Sequence, residues 1–334
     1  MSIPLKLPAF LIPLVKLALW QEPRAQFETI FKSIVLPLLG LVIFLVVWQG
    51  VAGTIHTSLG TFPGPEQTYA QAKGLYQEYL AERQEEAEFY ARQEQRNAER
   101  LARDPGYKAK IRPYTGDPTF VDQVGTSLIT VLTGFTLASL IAIPVGIMIG
   151  LSGALYSAFN PLIQIFRPVS PLAWLPLVTM VVSAVYVTDN PMVEKSFLNS
   201  MITVLLCCLW PTMINTAVGV TSISRDLLNV SKVLRLNPVT HIRKIVLPSA
   251  IPMMFTGLRL SLGIAWMVLI AAEMLAQNPG LGKFVWDEFQ NGSSNSLGRI
   301  MVAVLTIGAI GFLLDRSMLA LQRLVSWDKS ATLR

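Results

Sequence analysis

The feature that most constrains this chain is a pair of long uncharged runs. No Asp, Glu, Lys or Arg occurs between Asp122 and Arg167, and none between Lys195 and Arg225. A helix needs about 20 mostly apolar residues to cross roughly 30 Å of hydrocarbon, and a core helix of a water-soluble protein does not keep charge away for so long. Charged residues are only 14% of the sequence, against roughly 25% in soluble domains. The expected class is an all-α integral membrane protein of about six transmembrane helices.

The net charge of +6 does not point to nucleic acid. The basic residues flank apolar stretches, as positive-inside topology requires, and do not gather into a patch interleaved with aromatics. Cys207 and Cys208 are neighbours inside an apolar run. Their adjacency on one helix does not suit disulfide geometry, so they read as small hydrophobes. The first apolar patch, residues 8–20, is broken by Pro13 and Lys16 and lacks a small-residue cleavage site, so no cleavable signal peptide is expected.

Along the chain, residues 1–32 read as a cytoplasmic amphipathic lead-in, and 33–52 as the first transmembrane helix (Ile34–Val51), with Trp48 near its far end. Residues 53–123 hold a charged insert. From Leu75 to Asp104 there is no Gly or Pro, and acids alternate with Arg at helical spacing, which predicts an exposed helix, either a solvated spacer or a docking surface. Further spans are expected at Gly125–Leu151, Ser170–Val187, Phe197–Val218, Ile251–Leu275 and Ile300–Leu314, with kinks at Pro144 and Pro161 and close helix approach along Gly134, Ala138 and Ala142. These form a core, residues 124–322, followed by a tail at 323–334. The 219–248 connection carries Arg225, Lys232, Arg235, Arg243 and Lys244 against Asp226 alone, which places it and both termini in the cytoplasm and the insert outside.

That connection is the most specific segment. Residues 229–248 read as one helical stretch, a turn at Asn237-Pro238, and a second amphipathic stretch ending in Leu247-Pro248. A short helix–turn–helix under the membrane presents Val233, Leu234 and Leu236 as an apolar knob with a basic rim, suited to a groove on a soluble partner. On pattern alone, an amphipathic loop lying on anionic lipid is the equal alternative.

The segment resembles the loop of bacterial ATP-binding-cassette (ABC) importer permeases whose pattern is Glu-Ala-Ala, three residues, Gly, nine residues, then Ile-x-Leu-Pro. Ile245, Leu247 and Pro248 match its end. Asn229, Val230 and Ser231 stand at the Glu-Ala-Ala positions and Arg235 at the Gly position, with the spacing kept. Residues 125–322 are similar throughout to permeases of the nitrate, sulfonate/taurine and bicarbonate group, through 167–176 (RPVSPLAWLP), 210–216 (WPTMINT) and 257–266 (GLRLSLGIAW). The 210–216 and 229–236 stretches look most similar to the nitrate-type branch. The resemblance implies a type I (MetI-like) permease core in the bacterial inner membrane, with both ends inside. It also implies a second permease copy, two cytoplasmic ATPases docked on 219–248, and a periplasmic or membrane-anchored solute-binding protein. The expected cargo is a small anion, nitrate or nitrite first, with bicarbonate, cyanate or a sulfonate as alternatives. The coupling residues it implies are Asn229, Val230, Ser231, Val233, Leu234, Arg235, Leu236, Asn237, Ile245, Leu247 and Pro248.

Ionisable groups at membrane depth are functional candidates. Arg167 precedes a Pro-rich break and reads either as an anion attractor or as an interfacial anchor. Arg259 and Glu273 lie fourteen residues apart on one helix, about 21 Å, too far to pair. A structural Glu273 between helices fits better than a carboxylate on an anion path. Neutral donors suit that path: Asn199, Thr203, Thr212, Asn215 and Thr216 are the candidates, each equally able to bond its own or a neighbouring helix. No Walker-type glycine loop occurs, so the chain is expected to bind no cofactor itself, ATP and Mg being used by partner ATPases, and to be no enzyme. A secondary transporter or channel is the rival class. Its marks, internal repeats and coupling acids, are not evident beyond Glu273.

Overall fold

The computed structural model describes residues 28–57, 60–104, 106–188 and 192–325; the amphipathic lead-in up to residue 27 and the tail from 326 onward lie outside the described residues. The elements are a π-helical turn (Phe31–Val35) leading into α1 (Leu36–Ala52), a two-residue pair β1 (His56–Thr57) and β2 (Gly60–Thr61), and α2 (Pro65–Arg103). The core follows with α3 (Phe120–Leu151), α4 (Gly153–Phe166), α5 (Pro171–Val185) and α6 (Lys195–Thr221). Then come α7 (Arg225–Val233), α8 (Pro238–His241), a second π-helical turn (Ile242–Val246), α9 (Leu247–Ala276), α10 (Leu281–Asn291) and α11 (Ser296–Val325). β1 and β2 pair antiparallel, His56 opposite Thr61.

Four helices are long and apolar enough to span: α3, α6, the continuous stretch 238–276 that contains α9, and α11. The expected third span is the second half of a broken pair, α4 and α5, bent by 100° between residues 166 and 171. α4 was not foreseen as a separate helix, and Pro161 lies within it; Pro144 sits inside an unbroken α3. The first expected span is α1, a 17-residue apolar helix lengthened at its N-terminus by the π-helical turn. It presents apolar side chains on all sides, Val46 and Val47 among the most exposed. Near its C-terminus Ala52 is buried and Trp48 Nε1 donates to the Pro63 carbonyl at 3.0 Å.

The core is organised around α6, which is packed on one side by α3 and on the other by α9. Close approach explains the small residues. A Cβ on Gly146 would lie 2.7 Å from the Met213 carbonyl oxygen, and one on Gly257 would lie 2.7 Å from Asn215 Cβ. With so little side chain in the way, backbones meet and dispersion along the seam replaces a hydrophobic drive that lipid cannot supply. One apolar cluster links Val131, Phe135 and Ala138 of α3 to Val204 and Cys208 of α6 and to Leu262, Ala265 and Leu269 of α9.

The charged insert is a single helix longer than foreseen. α2 has 39 residues, about 58 Å at 1.5 Å per residue. The chain then returns alongside it: the Gln93 amide exchanges hydrogen bonds with the backbone of Arg112 (3.1 and 2.6 Å), and the Tyr114 hydroxyl donates to Glu82 at 2.7 Å. That bond pushes the Tyr114 phenol up to about 12, because the Glu82 carboxylate accepts the proton that ionisation would remove. The base of α2 is fastened to the core. Arg299 at the start of α11 grips Glu78 bidentately at 2.7 and 3.0 Å and Glu288 of α10 at 2.5 Å. Beneath this clamp, Leu75 packs with Phe284, Val302 and Ala303.

Candidate functional site

The residues singled out by sequence fall in the segment between α6 and α9, on the exposed side of α9 with the α4–α5 elbow beside it, and within the buried bundle.

The segment between α6 and α9 is built by local capping. Ser224 caps α7 by accepting from the Leu227 N–H at 3.4 Å, and Asp226 in the first turn complements the helix dipole. At the other end the Leu236 N–H donates to the Ser231 carbonyl and the Arg235 N–H to the Lys232 carbonyl, both at 3.1 Å. Arg235 has φ +46°. This is a Schellman stop with Arg235 in the left-handed position usually given to Gly, which is where the importer pattern has its Gly. Asn237 then caps α8, accepting from the Thr240 N–H at 2.7 Å, with Pro238 first in the helix. Ser231 Oγ lies 2.7 Å from His241 Nδ1, tying the two limbs together.

The segment therefore has two distinct faces. Inward, Leu228 and Leu236 pack with Ile223, Ile245, Val246 and Leu247 on Val220 and Ala250. Outward, Val230, Val233 (81% exposed) and Leu234 (63% exposed) stand free and, with Asp226 and Asn229, line an open groove of about 420 Å³. Leu236, expected on the outward knob, is instead an inward anchor, because the Schellman turn reverses the chain after Leu234. Lys232, Arg235, Arg243, Lys244 and Pro248 are exposed around this knob.

The pathway candidates separate by burial. Thr203, Thr212 and Thr216 are buried within the bundle and Asn199 is 7% exposed. The Thr203 hydroxyl donates to the Asn199 carbonyl at 2.7 Å. The Thr212 hydroxyl donates to Ser261 Oγ at 2.8 Å, and Ser261 passes its own proton to the Cys208 carbonyl at 2.6 Å, joining α6 to α9. Thr216 lies against Gly146. Glu273 is completely buried. Its oxygens accept from Ser127 Oγ (2.9 and 2.8 Å) and from the Gly282 N–H (3.0 Å), so it fastens α3, α9 and the start of α10. A Cβ on Gly282 would lie 2.1 Å from the Ile270 carbonyl oxygen, so only Gly brings that N–H within reach.

Asn215 and Arg259 lie on the open side. Arg259 forms a bidentate ion pair with Asp315 of α11, its Nη2 2.9 Å from Asp315 Oδ2. This pair borders an open groove of about 560 Å³ with Gly263, Met267 and Gln322. Around α9 from it, a cavity of about 390 Å³ is lined by Arg167, Ser170, Trp210, Asn215, Leu260 and Met267, among others. Asp315 was missed in the sequence because the last span was ended at Leu314; as an acid within an apolar run it carried the signal. Ser261 and Ser127 carried none, since their partners are 49 to 154 residues away.

Comparison with known proteins fits this architecture. Residues 142–327 match the family model described as binding-protein-dependent transport system inner membrane component. The bicarbonate transport system permease protein CmpB of Synechococcus elongatus is 34% identical, over 87% of this chain and 89% of its own length. The nitrate import permease protein NrtB of the same organism is 36% identical, over 64% and 76% respectively. NrtB of Synechocystis is 35% identical over 61% and 69%. Among solved structures, a chain of the inward-facing MetNI methionine ABC transporter shares the fold, with TM-score 0.53 and 16% identity, over 62% of this chain and 96% of that one. The chain belongs to the binding-protein-dependent transport system inner membrane component family, as a non-catalytic membrane-spanning member of its nitrate/bicarbonate permease group.

Proposed function

We propose that this protein is the permease of an ATP-driven importer that carries nitrate, and nitrite with it, into the cytoplasm. The observation that carries the coupling half of this reading is the outward face of the cytoplasmic segment. Val230, Val233 and Leu234 are apolar, exposed and held on a capped, self-bonded scaffold with a basic rim. Such a knob has no use in water and fits a pocket on a soluble motor. Two copies of the chain would share a pathway along the exposed stripe of α9 at Thr256, Leu260, Gly263 and Met267, with Asn215 and Arg259 beside it.

The orientation, both termini inside and the insert outside, rests on the cytoplasmic bias of basic residues. The clamped base of α2 makes the insert a fixed outer platform, and we assign to it the reception of an external solute receptor. The nitrate assignment is supported by the relatives named for nitrate import and by the short stretches at 210–216 and 229–236. Bicarbonate is the second reading, favoured by the alignments to CmpB that extend over 87% of this chain.

The deciding experiment is purification with the partner ATPases, followed by receptor-dependent hydrolysis and uptake with nitrate, nitrite, bicarbonate, cyanate and taurine. Stimulation by nitrate and nitrite is expected. Stimulation by bicarbonate alone moves the protein to the second reading, and by taurine alone removes both. Loss of receptor coupling is expected on deleting residues 75–104; full coupling in that deletion would end the receptor role of the insert.

A further inference from the structure

We propose that the elbow between α4 and α5 is the place within the membrane where the transported oxyanion rests, with the Arg167 guanidinium as its cationic anchor and Asn215 as its neutral partner. The inference rests on the anion-importer reading above and adds a location to it.

Depth is the first argument. The elbow cavity is bounded on α6 by residues from Cys207 to Asn215 and on α9 by residues from Leu260 to Val268. Cys207 stands at the middle of α6 and Leu260 near the middle of α9. Arg167, itself exposed in the isolated chain, shares this cavity with those mid-helix residues, which draws it toward the bilayer interior. An arginine at that depth is costly wherever it faces lipid, and is found where it meets an opposite charge or a water-filled cavity. Among the described residues no carboxylate is within ion-pair distance of Arg167, and none lines the elbow. Arg259, at comparable depth, contrasts with it, because Asp315 neutralises it.

The surroundings match an anion. The chain breaks at Arg167–Ser170 and restarts as α5, so the positive end of a 15-residue helix opens at the elbow. Asn215 Nδ2 donates one hydrogen to the Pro211 carbonyl at 2.8 Å, leaving its second N–H for an anion. The Trp210 indole N–H is a buried donor with no partner among the described residues. The remaining wall is apolar, and a cavity of about 390 Å³ holds on the order of ten waters. Neutral donors and a single delocalised cation bind an oxyanion without trapping it, as a transit site requires.

The test uses the assembled complex in proteoliposomes. Arg167→Gln is expected to lower uptake of the carried anion about 10- to 100-fold, the usual effect of losing a charged hydrogen bond. Arg167→Lys should fall between that variant and wild type, since it keeps the charge and loses the fork. Wild-type uptake in Arg167→Gln would overturn the proposal. Should that variant not assemble with its ATPases, Cys207 on the cavity wall supplies a second measurement in a protein whose Arg167 is intact. In a Cys208→Ala background, an anionic methanethiosulfonate should modify Cys207 faster than a cationic one, and nitrate should slow it. Labelling indifferent to reagent charge and to nitrate would also overturn the proposal. If wild type carries bicarbonate and not nitrate, both measurements are made with bicarbonate, so a wrong substrate and a wrong site give different results.

Discussion

Serine substitution of Val233 and Leu234 separates docking from folding. The two side chains are 81% and 63% exposed in the isolated chain. Full burial of a Val or Leu side chain is worth about 1.5–3 kcal/mol, so a pocket covering the exposed part gains roughly 1–2 kcal/mol from each. With about 1.4 kcal/mol per tenfold change, Val233→Ser or Leu234→Ser should weaken ATPase binding by roughly 5- to 30-fold, and the double variant by more. Neither side chain supports the fold, so thermal stability should stay within about 0.5 kcal/mol of wild type. Leu236→Ser is the counterpart. Leu236 is half-buried and packs inward on the cluster that holds Val246 and Ala250, and its truncation should cost about 1–3 kcal/mol of stability. The assay is titration of the permease in nanodiscs with the isolated ATPase, paired with thermal unfolding of each variant. Unchanged ATPase affinity in the Val233/Leu234 double variant would refute the knob. Loss of affinity in Leu236→Ser without loss of stability would refute the division into two faces.

Three further outcomes follow from the described contacts. Glu273→Ala leaves the Ser127 hydroxyl and the Gly282 N–H buried without their acceptor, at about 1–3 kcal/mol each; fluorescence-detected size exclusion after heating should show a clear loss of stability, smaller in Glu273→Gln. Arg299→Ala releases Glu78 and Glu288 together, so limited proteolysis of α2 should accelerate while the core fragment persists. Arg235→Gly replaces a left-handed non-glycine residue, a conformation costing roughly 1 kcal/mol, and should slow amide exchange at Leu236; Arg235→Val should speed it.

What could be read from the sequence was whatever is written locally. Uncharged runs marked α3 and α6, the charged run marked α2, and the Asn237-Pro238 turn marked the split between α7 and α8. What could not be read was pairing across distance. Arg259 meets Asp315 56 residues on, Ser127 meets Glu273 146 residues on, and Arg299 meets Glu78 221 residues back; no window of sequence holds both partners. α4 was hidden for another reason. Its composition is as apolar as that of α3, and only the break at Ser152 separates them. α10 had a signal that went unread: Asn278-Pro279-Gly280 ends one helix, and Lys283 and Asp287, paired at 2.5 Å, mark the exposed face of the next. Leu236 was assigned to the wrong face because its direction depends on the backbone sign at Arg235, which residue type alone misstates.

The continuous helix from Pro238 to Ala276 works mechanically as a push-rod. Its N-terminal end adjoins the knob-bearing turn, and its C-terminal end is pinned by Glu273. Between them it is riveted at two further heights, by Arg259 to Asp315 and by the Trp266 indole to the Ile307 carbonyl. These two ties join α9 to α11 at separate heights, so the pair is expected to move together. Below the first tie the helix passes through the π-helical turn at Ile242–Val246, and the surplus winding there is the place in the rod where a change of length costs least.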